Sequence, residues 1–173
     1  MNNKKQIGLA IVGCGTIGRI RALMARDYPG IGWIGLCDIN SDLGNKLLDD
    51  CKADFFTKDY NELLKRTEVD AVIIATDENH HFGPTMAAIE ANASLFIEKP
   101  LATDLIESRQ VLDAINVAQI DAVLGYTQRF RRRFLAVKQK LNDNNIGDVT
   151  SVVTRAFMNS MVPIATVRRT NER

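Results

Sequence analysis

Long apolar runs are missing from this sequence. No stretch approaches the roughly 20 consecutive apolar residues that cross a bilayer, so no membrane partner is expected. Histidine is nearly missing too, with only two copies, side by side at His80 and His81. The three cysteines, Cys14, Cys37 and Cys51, form no CxxC pair and no zinc-ligand spacing, which excludes a cage of His and Cys ligands and leaves no metal site to expect. An odd, scattered set of thiols fits reduced cysteines in a cytoplasmic protein. Charge of one sign is also lacking. The formal net charge is +1, which gives no broad pull toward nucleic acid or anionic lipid.

Local exceptions are weak. Arg129, Arg131, Arg132 and Arg133, with Lys138 and Lys140 beyond, form a basic run. They flank a Phe130–Phe134 stripe, so a solvated amphipathic helix accounts for them without a nucleic-acid partner. Lys4 and Lys5 precede an apolar run ending at Cys14, a superficial likeness to a lipoprotein signal. The run from Ile7 to Val12 is too short for a secretory core and already contains Gly8. Proline and glycine are sparse (4 and 11), and no repeat or low-complexity tract suggests disorder.

What is present is a globular composition, 46% apolar and 25% charged, over a length that builds one ordinary domain and a small extra piece. Short β-rich runs alternate with helical periods, which argues for βαβ units and a parallel sheet. Strands are predicted at Ile7–Gly13, Gly32–Asp38, Ala53–Thr57, Ala71–Thr76, Ser94–Glu98 and Ala122–Tyr126. Ala71–Thr76 (AVIIAT) is apolar at every position but the last, as a strand covered on both faces requires. Asp59 and Glu62 have capping-box spacing before Leu63 and Leu64, and Thr103 is placed to cap a helix carrying Leu105, Val111 and Leu112. Phe130, Phe134, Val137 and Leu141 mark a further helix, and Val149–Phe157 alternates like a strand.

Gly13-Cys14-Gly15-Thr16-Ile17-Gly18 is a G-x-G-x-x-G motif, with a buried strand before it and an amphipathic helix after it. The first glycine permits the tight turn and the second lets the backbone approach a pyrophosphate. The third lets helix and strand pack closely. The anion would sit on the free amides of the helix N-terminus. A plain strand-turn-helix remains the alternative. Asp38 ends the second strand about 20 residues beyond the motif, where a carboxylate accepts hydrogen bonds from a ribose and repels a 2′-phosphate. That favours NAD over NADP, unless Arg19 and Arg21 offset the repulsion; a surface turn aspartate is the alternative. Glu98-Lys99-Pro100 follows a strand end, where open α/β sheets place ligands. A lysine there would polarise a substrate oxygen, although from three residues alone a solvated Glu–Lys turn is commoner.

Taken in order, these segments resemble the glucose–fructose oxidoreductase / inositol dehydrogenase (Gfo/Idh/MocA) family over roughly the first 155 residues. The resemblance runs through GCGTIG, Cys37-Asp38, DAVIIAT ending at Thr76, His81, FIEKPLAT from Phe96 to Thr103, GYTQRF from Gly125 to Phe130, and IGDV from Ile146 to Val149. It implies a two-domain NAD-dependent oxidoreductase that oxidises a secondary hydroxyl of a sugar or cyclic polyol and works as a homo-oligomer. The expected architecture is an α/β, doubly wound parallel-sheet Rossmann domain over 1–125. After it comes the linker helix and first strand of a truncated α+β second domain over 126–173. Cofactor contacts are expected from Gly13, Gly15, Thr16, Ile17, Gly18 and Asp38, and also from Ala75, Thr76, His81, Glu98 and Lys99. Lys99 is the catalytic expectation, with a cis Lys99-Pro100 peptide. His81 matches a family position near the nicotinamide ribose; by itself, a histidine in a polar loop is more often a cap or solvated.

Two positions depart from the family pattern: Asp77 stands where proline is usual, and Thr127 replaces a common asparagine. The family's general base, a histidine four residues after an aspartate in the second domain, has no counterpart, since no histidine follows His81. The chain is therefore expected to be an N-terminal fragment that binds cofactor without full catalysis. A non-catalytic NAD(H)-sensing module, or half of a split enzyme, is the alternative.

Overall fold

Six strands form one all-parallel sheet in the order β3-β2-β1-β4-β5-β6. They are β1 (Ile7–Val12), β2 (Ile31–Cys37), β3 (Phe55–Thr57), β4 (Ala71–Ile74), β5 (Ser94–Glu98) and β6 (Ala122–Gly125). The computed structural model describes residues 6–155 and Phe157. Helices α1 (Thr16–Arg26), α2 (Ser41–Cys51), α3 (Tyr60–Leu64), α4 (Phe82–Glu90) and α5 (Leu105–Ala118) cross between strands, and α6 (Arg132–Asn142) follows the sheet. The chain divides into two compact units, Met1–Thr127 and Gln128–Arg173.

The apolar strands explain the layering. Because side chains alternate across a sheet, β1 feeds two cores at once. Ala10 and Val12 join Val72, Ile74, Leu95 and Ile97 beneath α4 and α5. Leu9 and Ile11 join Ile34 and Leu36 beneath α1 and α2, with Ala22, Leu47 and Cys51. Burying each Ile or Leu completely stabilises the fold by roughly 1.5–3 kcal/mol, and Ile11, Ile34, Leu36, Ile74 and Ile97 are all essentially inaccessible. A doubly wound sheet is the arrangement that gives such two-sided strands a cover on both faces.

Helix entries follow local side-chain chemistry. The Asn40 carboxamide accepts from the amides of Asp42 and Leu43 at 3.0 and 3.3 Å to start α2. Asp104, not Thr103, caps α5, accepting from Ile106 and Glu107 at 2.7 and 3.1 Å. A carboxylate one residue nearer the helix reaches the first-turn amides that Thr103 does not. Asp59 caps α3 by accepting from the Asn61 amide at 2.8 Å, but the reciprocal half of the capping box does not form. Glu62 instead bonds the Thr57 hydroxyl, which in turn accepts from the Asp59 amide. Pro84 lies inside the first turn of α4, where a missing N–H costs nothing.

Two expectations for the last part of the chain differ from the structure. Phe130 closes a short 3-10 turn, Thr127–Phe130, so α6 begins only at Arg132. Residues 149–155 and Phe157 are not strand. The alternation of Val149, Val152 and Val153 is real, but a strand exists only where a neighbour completes its ladder, and the described residues of this segment are in no ladder. Ala156 and the basic residues after Pro163 lie outside the described residues.

Candidate functional site

The strand order reverses between β1 and β4, and ligands of open α/β sheets bind in the crevice outside the carboxyl ends at such a point. The ladder continues one residue past each strand here. The Gly13 amide donates to the Cys37 carbonyl and the Ala75 amide to the Val12 carbonyl, both at 2.8 Å. These bonds hold the glycine turn between the ends of β2 and β4.

Gly13 has φ +100°, and a Cβ there would meet the Ala75 carbonyl oxygen at 2.5 Å. Both facts require glycine. At Gly18 a Cβ would lie 1.7 Å from the Gly13 carbonyl oxygen, so the absence of a side chain is what lets α1 press onto the turn. Gly15 is the opposite case: a Cβ there meets nothing within 4 Å. It is the N-cap of α1 and supplies no side-chain cap, and Thr16 and Ile17 after it are exposed. First-turn amides have no acceptor within their own helix, so this end of α1 presents bare donors and a positive dipole end to the crevice.

Asp38 follows β2 and is half-buried. One carboxylate oxygen accepts from the Cys14 amide at 2.7 Å and the other from the Asn40 amide at 2.8 Å. The acid is therefore fastened to the glycine turn itself. Ile39 beside it is 83% exposed, a large apolar side chain left at the mouth of the crevice.

The arginines are engaged elsewhere. Arg19 pairs with Asp50 on α2 at 3.0 Å. Arg21 reaches across to Glu98 at the end of β5, with Nε 2.8 Å from Oε1 and Nη2 on the same oxygen. Its guanidinium also lies 4.9 Å from the centroid of the Phe96 ring. Neither arginine faces Asp38 to offset its charge. Glu98 is correspondingly committed to α1, with its carboxylate largely buried against Arg21.

Register carries β5 alongside β4, pairing Ile74 with Ile97. Beyond that pair, β4 leads on to Ala75 and Thr76, and β5 ends at Glu98 with Lys99 next. Lys99 is exposed, and its peptide bond to Pro100 is cis. His81, by contrast, is 1% exposed. Its Nδ1 lies 2.7 Å from the Pro100 carbonyl oxygen and its Nε2 3.2 Å from that of Thr76. The Thr76 hydroxyl donates to the His80 carbonyl at 3.1 Å.

The structure thus gathers Gly13, Gly15, Thr16, Ile17, Gly18, Asp38, Ala75, Thr76 and Lys99 along the carboxyl edge. It turns Glu98 and His81 inward, onto protein partners. The Arg21–Glu98 and His81–Pro100 contacts were not foreseen; each joins residues far apart in sequence, which no local spacing reveals. The thiols near the crevice are closed to chemistry. Cys14 and Cys37 are buried, and burial first, with Asp38 next, pushes each thiol up to about 12. A groove of about 580 Å³ lies apart from the crevice, on the α1 side of β4, β5 and β6.

Known proteins share this fold. The family model for the Gfo/Idh/MocA oxidoreductases, described as an oxidoreductase family with an NAD-binding Rossmann fold, matches residues 7–126. The inositol 2-dehydrogenase of Salmonella typhimurium is 31% identical over 159 residues, covering 88% of this chain and 46% of the relative. The myo-inositol 2-dehydrogenase of Thermotoga maritima is 25% identical over 139 residues, covering 80% and 42%. Among solved structures, scyllo-inositol dehydrogenase from Lactobacillus casei, with bound NAD(H) and scyllo-inositol, has the same fold. Its TM-score is 0.80 at 23% identity, over 84% of this chain and 44% of that one. The chain spans less than half the length of these relatives. Among the described residues, no helix is long and apolar enough to cross a membrane, and no cluster of side chains could hold a metal ion.

Proposed function

The chain belongs to the Gfo/Idh/MocA family of oxidoreductases, and from that membership we propose that it holds NAD(H) in the β1–β4 crevice for a dehydrogenase acting on a secondary hydroxyl of a sugar or cyclic polyol. The observation that carries this reading is the pairing of a bare backbone at Gly15 with a carboxylate fastened one residue away, Asp38 on the Cys14 amide. A Cβ at Gly15 would occupy the space a diphosphate needs, and none of the described residues comes within 4 Å of it.

Bound NAD supplies the carbon that accepts a hydride. The chain's own residues bind and orient. The Thr16 and Ile17 amides donate to the diphosphate at the positive end of α1. Asp38 uses two of its roughly four lone-pair positions within the protein, which leaves others for ribose hydroxyls. Ile39 offers an apolar face to the adenine, and Ala75 and Thr76 line the nicotinamide side. The Lys99 ammonium, at the adjoining strand end, would contact the nicotinamide end of the dinucleotide as well as orient the substrate oxygen, and it would favour negative charge gathering on that oxygen as the neighbouring carbon is oxidised.

The preference is for NAD over NADP. A 2′-phosphate would meet the Asp38 carboxylate, and the two nearest sequence candidates for neutralising it, Arg19 and Arg21, are already paired with Asp50 and Glu98. The polyol class follows the inositol dehydrogenases among the relatives. Three unbridged cysteines fit the reducing conditions of the cytoplasm. Titration of the purified chain with NADH and with NADPH, followed by nucleotide fluorescence, is the direct test. Tighter binding of NADH is expected, and no affinity for either nucleotide overturns the reading.

A further inference from the structure

We propose that His81 is a positioning residue for Lys99, acting through the carbonyl of Pro100; the proposal rests on the reading above that Lys99 serves the dinucleotide site. His81 sits at the entry to α4, on the face of the sheet opposite α1, and its ring is 1% exposed. A buried ring nitrogen needs a partner, and both nitrogens here face carbonyl oxygens, which only accept. The contact from Nδ1 to Pro100, at 2.7 Å, is the shorter of the two, and as a hydrogen bond to a carbonyl oxygen it has Nδ1 as the donor. Nε2 lies beside the Thr76 carbonyl at the end of β4. One ring therefore spans the two segments that end beside the crevice.

Lys99 itself is exposed, so its own side-chain packing does not fix it. Its two neighbours in sequence do. Glu98 is tied to Arg21 on the α1 face, and Pro100 is tied to His81 on the α4 face. The ammonium is thus presented from a backbone gripped on both sides of the sheet. That is how a long, rotamer-rich side chain keeps a defined origin at the strand end.

Side-chain geometry allows a discriminating test. The carboxamide nitrogen of asparagine overlies histidine Nδ1, whereas that of glutamine overlies Nε2. Hydrogen exchange by mass spectrometry on the whole chain, without nucleotide, reads the backbone of residues 98–103. His81→Asn should match the wild type, while His81→Gln and His81→Phe should exchange on the order of fivefold faster there, as loss of one buried hydrogen bond implies. Wild-type exchange in His81→Phe, or fast exchange in His81→Asn, overturns the proposal.

The functional arm uses NADH affinity. Lys99→Met should weaken binding in the wild-type background and add nothing in His81→Phe, because a mispositioned lysine has already lost its contact. Additive losses overturn the proposal, since independent sites add and coupled ones do not. A wild-type chain that fails to bind NADH overturns the dinucleotide reading instead, and the exchange result still decides the role of His81.

Discussion

The Asp38 carboxylate accepts a hydrogen bond from the Cys14 amide at 2.7 Å. An acid that a nucleotide-binding sequence would assign to a ribose is also a brace of the glycine turn that faces the diphosphate. Its two tasks separate under substitution. Asp38→Asn removes the charge and keeps one oxygen acceptor for the Cys14 amide but turns an NH2 group toward the Asn40 amide, so the chain should melt below the wild-type temperature yet above that of Asp38→Ala. Its preference for NADH over NADPH should shrink by roughly tenfold or more, as loss of a charged hydrogen bond worth about 1.5–3 kcal/mol implies. Asp38→Ala should lose both affinity and stability. Melting curves and nucleotide titrations on the two variants check this, and unchanged selectivity in Asp38→Asn sinks it.

The glycines divide in the same way between fold and site. Gly13→Ala should destabilise the domain by at least about 1–3 kcal/mol, the ordinary cost of forcing a side chain into a disfavoured backbone region, with the contact to the Ala75 carbonyl adding to it. Gly15→Val should cost the fold less than Gly13→Ala, since open space receives its Cβ and only an N-cap preference is lost, yet abolish measurable NADH binding. A Gly15→Val chain that binds as tightly as wild type would remove the diphosphate from the α1 terminus.

The Arg21–Glu98 pair is held with side chains only 22% and 12% exposed. Removing one partner leaves the other charge with little water, which costs about 3–5 kcal/mol for fully buried pairs. Here Arg21→Met or Glu98→Gln should cost about 2–3 kcal/mol, discounted for the remaining exposure. Denaturant unfolding of the two single variants and the double variant should return a coupling energy above about 1 kcal/mol. Simple additivity would reduce the pair to a surface contact.

The buried thiols predict an alkaline limit. Cys14 and Cys37 rise from 9.0 to about 12 in the folded protein, mainly through burial and then through Asp38. The unfolded chain releases these protons near pH 9 and the folded chain does not. The stability they confer is therefore whole below pH 9 and is lost as pH climbs toward 12. Replacing both with alanine or valine should flatten that part of the stability curve. At pH 8 the native chain should react with a thiol reagent far more slowly than the same chain in urea; equal rates would contradict the burial.

Much of this fold was legible in the sequence because its signals are local. Six apolar runs gave six strands within a residue or two of their observed ends, and the glycine motif and Asp38 occupy the switch point expected for them. What escaped depends on distance or on neighbours. Arg21 and Glu98 lie 77 positions apart, so the arginine read as a counter-charge for a phosphate when it is the partner of a strand-end acid. His81 looked solvated among polar neighbours, yet the chain folds it under Pro100. Val149–Phe157 has the alternation of a strand, and alternation describes only which faces differ, not whether a neighbour is there to pair.

The seam between β1 and β4 has a kinetic consequence. Leu9 to Val12 lie against Ala71 to Ile74, so the two halves of the sheet join only after the intervening segment, with its own two strands, has been made and brought round. Closing so long a loop carries an entropic toll that short-range contacts avoid, and topologies rich in such pairings fold slowly. During synthesis the first strand must wait, with one edge unclaimed, until the fourth emerges from the ribosome.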